Sequence, residues 1–193
     1  MIVFLTELDA AMTARVTPLL GAHRVVRNLA ELRQAEGTGL FSFSTSIIVP
    51  SDVLRRFDGA AYNLHAASPE YPGRDPHHWA VYDGATRYGA TLHQMTPRVD
   101  DGPIIDVEWF DVEAGTMPPQ LLAAANAAAL RLLARVAPQL QRSGAPIFWL
   151  CAACRLIFWR RNLPTGCALL TVQIMITCRS RCMGGLSALN APE

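Results

Sequence analysis

Asn63 and His65 are separated by one residue in the segment AYNLH, which reads as a β-strand, and both side chains suit carbonyl chemistry. Alternate residues of a strand point to the same face, so the two side chains lie about 6 to 7 Å apart along the chain. The Asn63 amide offers two uncharged N–H donors to an oxygen that gains negative charge during nucleophilic attack. A neighbouring histidine moves protons near neutral pH. The pair therefore predicts half of an acyl or formyl transfer site.

Asp100 supplies the anionic group that this pair lacks. It lies in the loop VDDG, directly after the predicted strand GATLHQM at residues 89–95, which we expect beside the Asn63/His65 strand. Together the three residues provide an oxyanion donor, a proton carrier and a carboxylate. Spacing alone leaves other interpretations open, because His65 also suits a structural histidine and Asp100 a turn cap.

Strands and helices alternate along the chain, which predicts an α/β fold with a parallel sheet and ligands at the carboxyl ends of its strands. The predicted strands are IVFLT, HRVVRN, GLFSFSTSIIV, GAAYNLH, GATLHQM and PIIDVEWFDV, the last with Ile105, Val107 and Trp109 on one face. The predicted helices are LDAAMTARVTPLLGA, LAELRQAEG closed by Gly37, PSDVLRRF, and residues 118–140. In the last of these, Leu122, Ala125, Ala129, Leu132 and Val136 form a stripe that should cover the sheet. A G-x-G-x-x-G or P-loop nucleotide motif does not occur.

Charge and hydropathy argue against polyanionic and membrane partners. The net charge is +1, 51% of residues are hydrophobic, and there is no long run of one charge sign. The apolar runs 147–159 and 167–178 are shorter than the roughly 20 residues that span a bilayer. The N-terminus is apolar for only five residues and then acidic, which is typical of a first strand and not of a signal peptide. We therefore expect a cytoplasmic protein that binds neither nucleic acid nor membrane.

Residues 144–193 differ in character from residues 1–143, which we expect to form the catalytic domain. All five cysteines lie in this tail, and positions 146–192 contain no Asp or Glu. Because a natural domain surface mixes both charge signs, we expect an atypical tail without an independent fold, for example one translated out of frame. The alternative is a zinc site built from CAAC and CRSRC, whose second pair has unusual spacing. We expect no metal.

The segment from residue 57 to 105 resembles the catalytic core of the folate-dependent formyltransferase family. That family includes glycinamide ribonucleotide formyltransferase, methionyl-tRNA formyltransferase and sugar N-formyltransferases. Five motifs in the same order carry the resemblance: Asn63-Leu64-His65, the loop 69–73, Trp79-Ala80-Val81, the segment 89–95, and Asp100-Asp101-Gly102-Pro103-Ile104. The resemblance implies a Rossmann-like, mostly parallel sheet that is shortened at the N-terminus.

The same resemblance implies site roles and ligands. Asn63 would hold the formyl oxygen, His65 would stabilise the tetrahedral intermediate and shuttle a proton, and Asp100 would act as base or orient the histidine. The donor would be 10-formyltetrahydrofolate and the acceptor the amine of a small molecule. The folate would lie between two walls, one formed by Ser46, Ile47, Ile48 and Val49 and the other by Thr96, Pro97, Arg98 and Val99.

Several features depart from the family pattern. The loop HAASPEYPG is one residue short and has Pro72 where a basic residue is expected, so Arg74 is the candidate replacement. His77 and His78 have no counterpart, and we expect them to be loop residues and not metal ligands. A Gly-rich phosphate loop is missing, which argues against a phosphorylated nucleotide acceptor. Two further interpretations remain: hydrolysis of the same folate by a deformylase, and a degenerate, non-catalytic folate-binding relative.

Overall fold

A computed structural model describes residues 1–57 and 60–141, which form a six-stranded sheet flanked by helices. The strands are β1 (Ile2–Leu5), β2 (His23–Val26), β3 (Gly39–Phe43), β4 (Ala61–His65), β5 (Arg87–Gln94) and β6 (Ile104–Asp111). The helices are α1 (Ala10–Leu20), α2 (Leu29–Gln34), α3 (Ser51–Arg55), α4 (Pro76–Tyr82) and α5 (Pro118–Leu140). The predicted tail 144–193, including its candidate zinc ligands, lies outside the described residues.

The sheet has the order β2-β1-β3-β4-β5-β6 and changes direction in its middle. Strands β1 to β4 run parallel, whereas β5 is antiparallel to β4 and β6 is antiparallel to β5. The parallel strands are joined through α1, α2 and α3, whereas residues 66–86, which contain α4, lead to β5 and the loop 95–103 leads from β5 to β6. The α/β class with a mostly parallel sheet is therefore confirmed.

Apolar cores cover both faces of the sheet. On one face, α1 and α5 pack over Phe4, Phe41 and Leu92. On the other, α2 and α3 pack over Leu5 and Leu40. All four residues of β1 are buried, as expected of a central parallel strand that is covered on both sides.

Helix α5 has the predicted bounds, and four of the five residues predicted for its buried stripe are buried. The exception is Leu122, which is 37% exposed, whereas its neighbour Leu121 is 1% exposed and takes its place in the core. Arg131 pairs with Glu108, and Arg135 pairs with both Asp106 and Glu108, which ties the polar side of α5 to β6. By length and composition α5 is apolar enough to cross a membrane, yet nine of its residues are buried in this fold.

The end of α2 and the face of β6 differ from the prediction. Helix α2 ends at Gln34 and not at Gly37. A Cβ at Gly37 would lie 2.8 Å from the carbonyl oxygen of Met1, so glycine lets the chain pass close to β1. In β6 a register shift opposite Leu92 and His93 interrupts the alternation. Ile105 therefore lies in the core under α5. Val107 and Trp109, which were predicted for the same face, lie on the opposite one, because they alternate with Asp106 and Glu108, which contact α5.

Candidate active site

The candidate active site lies where the sheet changes from parallel to antiparallel. Asn63 and His65 lie at the carboxyl end of β4, on one face because they are two residues apart. Asn63 is opposite Ser42 of β3 and opposite His93 of β5. The backbone register of three strands thus places these side chains together on one face of the sheet.

Hydrogen bonds at both ends fix the orientation of the Asn63 amide. The Ser42 hydroxyl donates to Asn63 Oδ1 at 2.7 Å. Asn63 Nδ2 donates to Asp100 Oδ1 at 3.3 Å. A carboxylate accepts and cannot donate, so the nitrogen end of the amide must face Asp100 and the oxygen end must face Ser42. Nδ2 has two hydrogens, and Asp100 takes only one of them.

Asp100 is held by a loop that only a glycine permits. A Cβ at Gly102 would lie 1.6 Å from the carbonyl oxygen of Gln94, so the loop can pass this close to β5 only without a side chain. Asp100 itself has φ 53°, in the left-handed region that aspartate tolerates better than most residues. The backbone of Gly73 then donates to Asp100 Oδ2 at 2.9 Å. The carboxylate is therefore fixed from two sides of the site.

Hydrogen bonding keeps Asp100 ionised despite its burial. Its side chain is 10% exposed, and this burial alone would raise the pKa. The hydrogen bond from His93, the nearby charge of His65 and the Gly73 N–H outweigh it and lower the pKa to about 2. Asp100 is therefore an anion at neutral pH, and it is better suited to hold polar groups in place than to accept a proton.

The histidine that Asp100 contacts directly is His93. Its Nε2 lies 3.3 Å from Asp100 Oδ1 and 3.2 Å from Asn63 Nδ2, whereas its Nδ1 faces the Gln94 carbonyl oxygen at 3.0 Å. A carbonyl only accepts, so Nδ1 carries a proton. Nε2 thus faces the second N–H of Asn63, and a ligand oxygen that accepts from this N–H takes the place of Nε2.

His65 hydrogen-bonds a different group. Its Nε2 lies 3.3 Å from the carbonyl oxygen of Tyr71, so Nε2 carries the proton and the Nδ1 lone pair is left over in the neutral ring. Burial lowers the pKa of His65 below 6.5, against the opposing effect of the Asp100 charge. His65 is therefore largely neutral at pH 7, and its Nδ1 is able to accept a proton. Asp100 acts on the pKa of His65 through its charge, and among the described contacts no hydrogen bond joins the two side chains.

All eleven residues predicted for catalysis and folate binding line one cavity of about 610 Å³. The segment 45–49 forms one wall and the segment 95–100 another, as the resemblance implied. Arg74 and Arg98 also line the cavity, and their side chains are 96% and 85% exposed. The volume lies in the range of sites for drug-sized ligands, and the arginines favour an anionic ligand.

Ser42 and His93 are the main site residues that sequence reasoning missed. His93 lies within the motif GATLHQM, which marks it as part of the family pattern, but the motif alone does not indicate its role. Ser42 lies in the apolar run GLFSF, and only its register opposite Asn63 reveals its contact.

His77 and His78, expected in a loop, lie in the first turn of α4. Together with Asp75 they are the described groups that could hold a metal ion, with donor atoms within 4.8 Å of one another. Asp75 and His78 are exposed. None of the three residues lines the 610 Å³ cavity.

Comparison with known proteins identifies the family. A family profile described as formyl transferase matches residues 27–136, more than half of the chain. A phosphoribosylglycinamide formyltransferase from Anaplasma phagocytophilum has a similar structure, with a TM-score of 0.61 and 15% identity over 72% of this chain and 86% of that one. An N-formyltransferase from Helicobacter canadensis, solved with folinic acid and dTDP-3-aminofucose, has a TM-score of 0.61 and 16% identity over 72% of this chain and 63% of that one. A formyltetrahydrofolate deformylase from Pseudomonas syringae pv. tomato has a TM-score of 0.62 and 18% identity over 72% of this chain and 61% of that one.

The chain thus spans less than two thirds of the Helicobacter and Pseudomonas proteins, although it shares their fold. The profile match covers Asn63, His65 and Asp100 together with the strands that carry them. The chain belongs to the formyl transferase family, as its ordered motifs predicted.

Proposed function

We propose that this protein transfers the formyl group of 10-formyltetrahydrofolate to the amine of a small molecule. The observation that carries the proposal is the Asn63 amide, which is fixed at both ends and lies in the wall of a cavity that suits a folate. The family supports formyl transfer in general, and the Helicobacter relative was solved with folinic acid. The donor in this protein and the acceptor class belong to the proposal.

Asn63 would act at the formyl oxygen. As a nucleophile attacks the formyl carbon, negative charge develops on this oxygen, and the second N–H of Asn63 would donate to it in place of His93 Nε2. A donor that is already oriented needs no reorganisation during the reaction, which is why such groups stabilise a transition state strongly. Ser42 and Asp100 contribute by preventing the amide from turning its oxygen towards the substrate.

His65 would move the proton. Once the neutral amine has attacked the formyl carbon, its nitrogen must lose a proton, and a neutral imidazole with a free Nδ1 can accept this proton and return it to the leaving nitrogen. The lowered pKa of His65 keeps the ring in this neutral form at pH 7. Asp100 stays ionised in the proposed reaction and stabilises the positive charge that forms on the histidine.

Hydrolysis of the same folate is the second candidate. It is supported by the similarity to the Pseudomonas syringae deformylase, whose TM-score of 0.62 is about the same as the 0.61 of the two transferases above. In that reaction water replaces the amine, and the same three side chains serve the same chemical steps. A degenerate folate-binding protein would use the cavity without these steps.

One experiment separates the three candidates. The full chain is incubated with 10-formyltetrahydrofolate, with and without a set of small amines, and formate, tetrahydrofolate and formylated amine are quantified by mass spectrometry. Amine-dependent release of tetrahydrofolate with little formate supports the transferase. Rapid formate release without amine supports the hydrolase, and folate binding without either product supports the degenerate protein.

Substitution of Asn63 tests the assignment of the site. Asn63→Ala should reduce kcat by roughly 10² to 10³, the usual effect of losing one oxyanion donor, with a small change in folate binding. Asn126→Ala on α5 is the matched control, because it removes the same side chain from a residue that does not line the cavity. Equal kcat values for the two variants would rule out Asn63 as the oxyanion donor.

A further inference from the structure

A second cavity of about 200 Å³ adjoins the proposed catalytic residues. It shares His65, His93 and Asp100 with the larger cavity. Its remaining walls come from the shortened loop, β5 and the start of β6, namely Ser68, Pro69, Pro72, Thr91, Asp101, Gly102 and Ile104. A molecule in either cavity thus reaches the same histidines and carboxylate, as two reactants of one transfer must.

The sizes of the two cavities suit ligands of very different size. A volume of 200 Å³ corresponds to about seven water molecules at roughly 30 Å³ each. A folate does not fit such a space, whereas a compact amine with a few polar groups does. The larger cavity has three times this volume and is the one that the predicted folate-binding residues line.

The charges of the cavities also differ in sign. Arg74 and Arg98 line the larger cavity, whereas the described residues around the smaller one include two carboxylates, Asp100 and Asp101, and no arginine. Arg98 lies 3.4 Å from Asp101 and offsets part of its charge, whereas Asp100 is held by His93, Asn63 and the Gly73 N–H and has no arginine partner among the described residues. The smaller cavity therefore attracts an ammonium group and repels a phosphate.

Ser68 provides a polar group that has no partner in the described structure. The residue is 1% exposed, and its hydroxyl is buried without a hydrogen bond among the described residues. Buried hydroxyls almost always have a partner, because leaving one unpaired is costly. Thr91, in the same wall, has its hydroxyl occupied by the Ala67 carbonyl at 2.7 Å. The Ser68 hydroxyl is thus the one in this wall of the described structure that is left to form a hydrogen bond with a polar ligand.

We propose that the smaller cavity admits the acceptor as a compact amine without phosphate groups, an inference that rests on the formyl transfer proposed above. The ammonium form enters, loses one proton to solvent and forms a C–N bond to the formyl carbon, while the electrons of the C=O bond move to the oxygen near Asn63. The bond from this carbon to N10 of the folate then breaks. The second proton of the amine passes through His65 to N10, which gives a formamide and tetrahydrofolate without any redox partner.

The test compares glucosamine with glucosamine 6-phosphate, which differ only in the phosphate. The full chain is assayed with 10-formyltetrahydrofolate, and the formamides are quantified by mass spectrometry. We expect kcat/KM to be at least tenfold higher for glucosamine. Asp101→Lys should reduce this preference about tenfold or reverse it.

Asp52→Lys is the matched control for the charge reversal. The Asp52 side chain is 55% exposed and pairs with Arg33 at 3.4 Å, and the Asp101 side chain is 59% exposed and pairs with Arg98 at the same distance. The two differ in place, because Asp52 lines neither cavity. Three results would overturn the inference without contradicting formyl release: a preference for the phosphorylated amine, an unchanged preference in Asp101→Lys, or folate turnover without formylation of either amine. Failure to turn over the folate at all contradicts the proposed function itself.

Discussion

The hydrogen bond from Ser42 to Asn63 gives the sharpest test of how this site is held. In Ser42→Ala the hydroxyl that donates to Asn63 Oδ1 at 2.7 Å is lost, and the amide oxygen stays in a partly buried place without a donor. An unpaired buried acceptor costs about 1 to 3 kcal/mol. Asp100 still holds the nitrogen end of the amide, so Asn63 is loosened but not removed.

The expected effect on catalysis follows from this partial loss. Complete loss of an oxyanion donor costs roughly 10² to 10³ in kcat, and each 1.4 kcal/mol corresponds to about a factor of ten. We expect Ser42→Ala to lower kcat about tenfold, with an unchanged KM for 10-formyltetrahydrofolate. Steady-state kinetics give these constants, and urea unfolding gives the stability of the same protein samples.

Thr6→Val is the matched control for this prediction. Thr6 is also fully buried, and its hydroxyl donates to the Phe43 carbonyl at 2.7 Å, so its loss destabilises the fold without touching Asn63. Both variants should lose stability, but only Ser42→Ala should lose kcat. Equal kcat values in the two variants, or a loss that appears only in the folate KM, would refute the reasoning.

Three further predictions concern pH and packing. The pKa of Asp100 is about 2 in the folded protein, against an ordinary value of 3.8. Its ionised form therefore contributes about 2 kcal/mol of stability above pH 4, and this contribution is lost as pH falls towards 2. Urea unfolding between pH 5 and 2 should show this loss in the unchanged protein and not in Asp100→Asn. Because burial lowers the pKa of His65, kcat/KM should fall only below pH 6.5, and His65→Gln should abolish this acid limb along with most activity. Leu132→Ala should cost about 2 to 5 kcal/mol in urea unfolding, whereas Leu122→Ala should cost less than about 1 kcal/mol, since Leu132 is fully buried and Leu122 is 37% exposed.

The sequence predicts the positions that strand periodicity and motif order determine. The alternation in AYNLH places Asn63 and His65 on one face, and the motif ending in Gly102 selects Asp100. These residues, with the two predicted folate walls, line a single cavity. Strand periodicity places the Asn63/His65 pair, whereas the choice of Asp100 and of the two walls depends on the resemblance to the family.

The contacts between strands could not be predicted in the same way. Ser42 reaches Asn63 because of the β3 and β4 register, and His93 reaches Asp100 because β5 runs antiparallel to β4. Neither fact is visible in the periodicity of one segment. Leu121 replaces Leu122 in the buried stripe for a related reason, since the rotation of α5 about its axis is set by the surface that it covers.

The pairing of β4 with β5 also divides the site into a constant part and an adjustable part. The backbone hydrogen bonds between β4 and β5 place Asn63 opposite His93 and His65 opposite Thr91. This register does not depend on the length of the chain between the two strands. Away from Tyr71 and Gly73, which hydrogen-bond His65 and Asp100, residues 66–86 can therefore change in number and reshape the small cavity while the strand residues keep their spacing. We expect a loop that is one residue short to alter the range of substrates and to leave the chemistry in place.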